Sequence, residues 1–107
     1  MEDRKNFFYC YILRLYPEFY DHNTWTEKEN NLVGVHFAYL KDLGEKKILF
    51  LAGRSVNEPM TEKDFGIAIL ETKTEEEARN YMENDPAVKG KLMTAELFEF
   101  SLALLRK

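Results

Sequence analysis

Residues 7–16 read FFYCYILRLY, and the alternation of their side chains decides the fold. Aromatic and β-branched residues favour a pleated strand, and Pro17, which has no amide hydrogen for the ladder, ends it. Successive side chains of a strand point to opposite faces. Phe7, Tyr9, Tyr11 and Leu13 therefore share one face and Phe8, Cys10 and Ile12 the other, and both faces are apolar. A sheet with one wet face should show polar residues at alternate positions. This stretch does not, so both of its faces are expected to be covered.

Three further segments read as strands: residues 48–56, residues 65–72, and residues 93 to about 104. The second is apolar on both sides through Ile48-Leu49-Phe50-Leu51-Ala52, and the third alternates Phe65, Ile67 and Ile69 with Gly66, Ala68 and Leu70. Between the first two strands, Thr26-Glu27-Lys28-Glu29 reads as a capping box that starts a helix running to about Gly44. Thr74-Glu75-Glu76-Glu77 reads as a second capping box, and Ala78, Tyr81, Met82 and Asp85 then fall on one helical face. The resulting order, β-α-β-β-α-β, is that of an α+β, ferredoxin-like split βαβ sandwich: an antiparallel four-stranded sheet with two helices on one face. Residues 57–64 are too many for a tight hairpin and form a loop with the length to cover a pocket.

Two helices cover one face of such a sheet and leave the other open. At roughly 25 cal/mol per Å² of apolar surface, an open face of this composition drives association, so a sheet-to-sheet homodimer is expected. The 107 residues suit a single domain, 1–107. Fifteen Lys and Arg against 19 Asp and Glu give a net charge of −4 without any basic block, which excludes nucleic-acid or membrane-surface binding as the expected role. Cys10 is the sole cysteine, so no internal disulfide is expected and a reducing cytoplasm suits the chain. Neither a signal peptide nor a membrane-spanning apolar run is read at either end.

The chemistry centres on His36. At 100° per residue, Trp25, Leu32, Val33, Leu40 and Leu43 gather on one side of the first helix with His36 near their centre, while Asn30, Asn31, Lys41 and Asp42 face away. An unpaired imidazole in a dry site costs roughly 2 to 7 kcal/mol, so His36 needs a partner or a cavity. Asp85, on the inward face of the second helix, supplies that partner. A carboxylate on one ring nitrogen fixes the tautomer and makes the imidazole a base suited to neutral pH. Two structural readings stand beside this one. His36 can be a core histidine satisfied by a backbone carbonyl, and Asp85 can be the N-cap of a short helix beginning at Pro86. Capping and chemistry are compatible, because a carboxylate has two oxygens.

Arg14, Gly53, Arg54 and Ser55 are candidate substrate-binding residues. Arg14 ends a strand either in solvent or as an anion contact, and Gly53 permits the close approach of a ligand just before a cation and a hydroxyl, although a β-bulge explains a strand glycine equally well. His22 reads as exposed, and Trp25 as packing or lidding. No phosphate loop, dinucleotide fingerprint or nucleophile elbow occurs, and two histidines 14 residues apart lack metal-site spacing, so neither a cofactor nor a metal is expected.

The chain resembles the YciI-like (YCII-related) family of the dimeric α/β-barrel superfamily. The resemblance rests on the aromatic first strand, Trp25-Thr-Glu-Lys-Glu29, His36-Phe-Ala-Tyr39, Ala52-Gly53, Phe65-Gly-Ile-Ala-Ile-Leu-Glu71, Glu77-Ala78 and Asn84-Asp-Pro-Ala-Val88. It implies a ferredoxin-like dimer with a cleft between helices and sheet, in which His36 and Asp85 match the family's proposed catalytic pair. It also implies kinship with cofactor-free enzymes such as muconolactone isomerases and chloromuconolactone dehalogenase. Where the family usually has Gly-Pro at the end of the second strand, this chain has Gly53-Arg54. The expected function is a cofactor-independent lyase or isomerase in which the His36/Asp85 pair moves a proton on a small lactone- or carboxylate-bearing molecule. The alternative is a non-catalytic homodimeric module that binds a small ligand or a protein.

Overall fold

The computed structural model describes residues 6–106. Strand β1 (Phe7–Leu15) leads through two short 3-10 turns to helix α1 (Glu27–Glu45), followed by β2 (Leu49–Arg54), β3 (Gly66–Thr72), α2 (Glu75–Glu83), the one-turn helix α3 (Pro86–Lys89) and β4 (Met93–Phe100). The four strands form one sheet in the order β2-β3-β1-β4, and every neighbouring pair is antiparallel. This is the ferredoxin-like arrangement, with β1 at the centre, where a strand apolar on both faces belongs.

Residue parity divides the sheet cleanly. Tyr9, Tyr11 and Leu13 of β1 and Ala68 and Leu70 of β3 pack beneath Leu40 and Leu43 of α1 and Ala78 and Met82 of α2. The register places Cys10 between Ile69 and Phe98, and Ile12 beside Ile67, on the face without helices. Phe50, Leu51 and Phe98 remain exposed there, and the rings of Phe8 and Phe50 meet edge to face at 5.5 Å. A register shift between Leu49 and Leu51 forms a bulge at Phe50. The bulge lets apolar residues follow one another on the same strand without burying the ring under a helix.

The helix starts follow the sequence. Thr26 and Glu29 close the expected capping box, with the Thr26 amide donating to Glu29 Oε1 at 2.6 Å. At α2 the box is only half formed. Thr74 Oγ1 accepts from the Glu77 amide at 3.1 Å, but the Glu77 carboxylate reaches one residue further back and accepts from the Lys73 amide at 3.0 Å. Helices α1 and α3 end alike: Lys47 and Lys91 take left-handed φ values of 64° and 62°, and the amides of Ile48 and Leu92 close back onto Leu43 O and Ala87 O. This is a Schellman closure.

Strands β1 and β3 are each one residue shorter than the sequence reading, and β4 and β2 depart further from it. Strand β4 stops at Phe100 rather than about Leu104, because the β1–β4 ladder ends at the Phe8–Phe100 pair and no described residue continues it. Strand β2 spans Leu49–Arg54 rather than residues 48–56, yet hydrogen bonds extend past both ends, from Glu71 N to Ile48 O at 2.7 Å and from Ser55 N to Phe65 O at 2.8 Å. Among the described residues no helix is long and apolar enough to cross a membrane.

Candidate active site

Three elements converge beneath the middle of α1. The α2–α3 junction presents Asp85, whose side chain caps α3 by accepting from the Ala87 amide at 2.9 Å. Asp85 is fully buried. The same oxygen, Oδ1, meets His36 Nδ1 at 2.7 Å, and the other oxygen accepts from the Tyr11 hydroxyl at 2.8 Å. The capping role and the pairing with His36 therefore coexist, but on one oxygen, because a strand phenol occupies the second. Gly90 helps to set this geometry. A Cβ there would lie 2.6 Å from Leu32 Cδ2 and 2.9 Å from Pro86 O, so a side chain at this position would press on the packing of α1 against α3.

A carboxylate anion only accepts hydrogen bonds, which places the proton of the neutral ring on Nδ1 and leaves the lone pair on Nε2. No described residue meets Nε2. Every buried side-chain nitrogen or oxygen among the described residues has a partner, so this unpartnered nitrogen lies where solvent reaches it, on a side chain only 12% exposed. One nitrogen is fixed by a buried anion and the other is free at an accessible edge. That arrangement orients a proton acceptor and stabilises the imidazolium once it forms.

Tyr11 was not among the sequence candidates. Its phenol is pushed far above the ordinary tyrosine range, first by burial and then by the charge and hydrogen bond of Asp85, so it stays a donor at any working pH. The usable signal was the need of a central core tyrosine for a hydroxyl partner beside an inward-facing aspartate. Tyr39, one turn after His36, donates to Tyr81 O at 2.8 Å, and its phenol is pushed up to about 12, chiefly by burial and then by Asp85. It also lines an outer depression of about 380 Å³ with Glu77, Asn80, Tyr81 and Asn84. Neither His36 nor Asp85 lines that depression.

The remaining candidates fall in three places. Arg14 is exposed and shares the parity of Cys10 and Ile12, which puts it on the helix-free face, away from the pair. Gly53 lies opposite Ile67 on that same face. Arg54 has the other parity and stands on the helix-covered face beside Gly66 and Leu13. Ser55 belongs to a loop cluster: its hydroxyl donates to Asp64 Oδ1 at 2.8 Å and accepts from the Phe65 amide at 3.0 Å. His22 is exposed and meets Glu58 at 3.2 Å, while Trp25 is half-buried and its ring nitrogen donates to Phe19 O at 2.9 Å. Among the described residues no three His, Cys, Asp or Glu side chains are grouped to hold a metal ion.

The antiparallel sheet with its helices on one face makes this a small α+β, ferredoxin-like protein, in which a His–Asp pair ties the first helix to the α2–α3 junction. The YCII-related domain matches residues 8–101, and the chain belongs to that family. Among solved structures it is similar to the 5-chloro-2-hydroxyhydroquinone dehydrochlorinase of Burkholderia phenoliruptrix AC1100, in complex with 2,5-dihydroxybenzoquinone. The likeness has a TM-score of 0.64 at 19% identity and covers 88% of this chain and 93% of the other. None of the curated proteins matches the chain significantly.

Proposed function

We propose that this protein is a cofactor-independent enzyme of the lyase or isomerase type, in which His36 Nε2 removes a proton from a small molecule. The observation that carries the reading is the divided imidazole: Nδ1 held by buried Asp85 at 2.7 Å, Nε2 unpartnered at the site's edge. Asp85 orients the ring and balances its positive charge, and Tyr11 holds the second oxygen of Asp85 in place. The proton passes to Nε2, and the electron pair it leaves either expels a leaving-group anion or moves along the substrate until a proton returns at another atom. The first outcome is a lyase reaction and the second an isomerisation. The dehydrochlorinase neighbour supports the lyase form, and its quinone ligand supports a substrate of one-ring size.

The working unit in this reading is a cytoplasmic homodimer joined through the helix-free sheet face, where Phe50, Leu51 and Phe98 stand exposed. Sedimentation at micromolar concentration should give twice the chain mass, and replacing Phe98 by Glu should give the single chain. The catalytic reading is tested with His36→Gln, whose amide can still donate to Asp85. Against a panel of lactones and chlorinated hydroxyquinols, the folded variant should lose turnover by about 100-fold or more. Turnover at the parent rate in that variant would remove His36 from the reaction.

A further inference from the structure

Gly53 is a glycine for no reason within its own chain. It lies in the edge strand β2, where a residue without a side chain weakens the strand, and a Cβ built on it would meet nothing within 4 Å beyond its chain neighbours. Its φ is not positive, so the backbone does not call for glycine either. The bulge of β2 falls elsewhere, between Leu49 and Leu51. What approaches Gly53 must therefore come from outside the chain. It comes over the helix-free face, where Gly53 stands opposite Ile67.

One row across the four strands of that face runs Glu96, Ile12, Ile67, Gly53. The next row toward Phe8 begins with Phe98 and ends with Leu51, which are 43% and 41% exposed. The row on the other side holds Arg14 and Thr94, both exposed. The face is thus aromatic at one end and polar at the other. A second copy placed by a two-fold axis across the strands would lay each polar end on the aromatic end of its fellow and take Arg14 out of water. An axis along the strands lets like ends meet. Where that axis runs between the central strands β1 and β3, it covers all four strands, and each row meets itself reversed. Ile12 then falls on Ile67 of the second copy, Phe98 on Leu51, and Glu96 on Gly53. Packed sheets lie about 10 Å apart, a gap that Ile12 and Ile67 share between them. Glycine fills none of it, so a long side chain must come from the opposite sheet. Glu96 is such a side chain, exposed and without a partner among the described residues. Because β2 and β4 are the edge strands, its carboxylate ends at the rim of the contact, within reach of water.

We infer that Gly53 is the seat for the Glu96 side chain of a second copy, and that this contact, made twice about the two-fold axis, sets the register of the sheet-to-sheet dimer. The inference rests on the homodimer of the proposed function and deepens it by naming the contact that aligns the copies. It takes nothing from the catalytic role of His36.

The test measures the dimer dissociation constant of the whole chain by sedimentation. Gly53→Val puts a strand-favouring side chain into space that is empty in the single chain, so circular dichroism should show the fold intact. Its dimer should nevertheless weaken at least about tenfold, as overpacking at two seats requires. Adding Glu96→Ala to that variant should reverse most of the loss. Adding Glu99→Ala, which removes the same charge from the other side of β4, opposite Tyr9, should not. Chains carrying Gly53→Val, mixed with chains carrying Glu96→Ala, should form the mixed dimer in preference to their own, since no seat then holds both bulky groups. Should Gly53→Val fail to fold, Gly53→Ala takes its place, with a smaller loss and the same reversal. A parent that sediments as the single chain would end the homodimer and the seat together. A dimeric parent whose folded Gly53→Val variant associates equally well, or is restored no better by Glu96→Ala than by Glu99→Ala, would leave the homodimer standing and overturn the seat alone.

Discussion

Asp85 and Asp64 are both withdrawn from water, and each is held by several hydrogen-bond donors, but the donors come from very different distances along the chain. Asp64, 4% exposed, draws on its own loop: Ser55 and Asn57 side chains on one oxygen, the Thr61 amide and hydroxyl on the other. Asp85 draws on β1 through Tyr11, on α1 through His36, and on its own helix through the Ala87 amide. The Asp64 donors are neutral groups of a closed loop. One Asp85 donor is an imidazole whose far nitrogen reaches solvent. Burial of a carboxylate is thus no mark of chemistry in itself, since both carboxylates are buried and satisfied. The mark is a donor able to exchange its proton with something outside the protein.

The largest effect expected from this contrast belongs to Asp85→Ala. It removes an N-cap and leaves the Tyr11 hydroxyl and His36 Nδ1 without a partner in a dry place, a loss of about 3–5 kcal/mol by urea denaturation. Asp64→Ala should cost less and act locally, because water can enter a surface loop and replace the acceptor. Equal losses in the two variants would break the contrast. Next comes Tyr11→Phe, which deletes one oxygen without changing the packing around it. It leaves Asp85 Oδ2 unsatisfied at a fully buried position and should cost about 1–3 kcal/mol. No measurable loss would mean that Oδ2 does not depend on the phenol.

What was readable in the residues follows the same division. The order of the elements along the chain, the capped start of α1 and the inward side of α1 at Leu40 and Leu43 all come from local rules, namely alternation, spacing and caps, and the structure bears them out. The Asp-Pro cap at residues 85–86 was readable for the same reason. Tyr11 was not, because Phe7, Tyr9, Tyr11 and Leu13 form a plain core row in which nothing local tells one phenol from the next. Its partner is 74 residues away. Asp64 was hidden in a different way. Its Ser, Asn and Thr donors sit in a loop whose composition suggests only turns, and the closure around one carboxylate depends on the path of that loop. The end of β4 failed because strand length depends on the partner strand as well as on the sequence of the strand itself.

The smallest effect expected concerns pH. The Asp64 carboxyl is held below the ordinary carboxylate range, chiefly by the Thr61 amide and further by the hydroxyl and amide groups of Ser55, Asn57 and Thr61. A group whose folded value is depressed contributes stability that is complete above its unfolded value, about 3.9 for aspartate, and lost as the pH falls through the folded value. Acid should therefore loosen residues 55–65 at a pH below about 4, as protonation ends the ability of Asp64 to accept from every donor around it. Hydrogen-exchange protection of that segment should decline there before the sheet loses its own. In Asp64→Asn, which has no charge to lose, the local decline should vanish while the baseline protection is lower. Protection in the parent that holds level until the whole sheet unfolds would show that the loop is kept closed by its ties to the rest of the chain, such as Met60 N to Tyr20 O at 3.1 Å, rather than by the carboxylate at its centre.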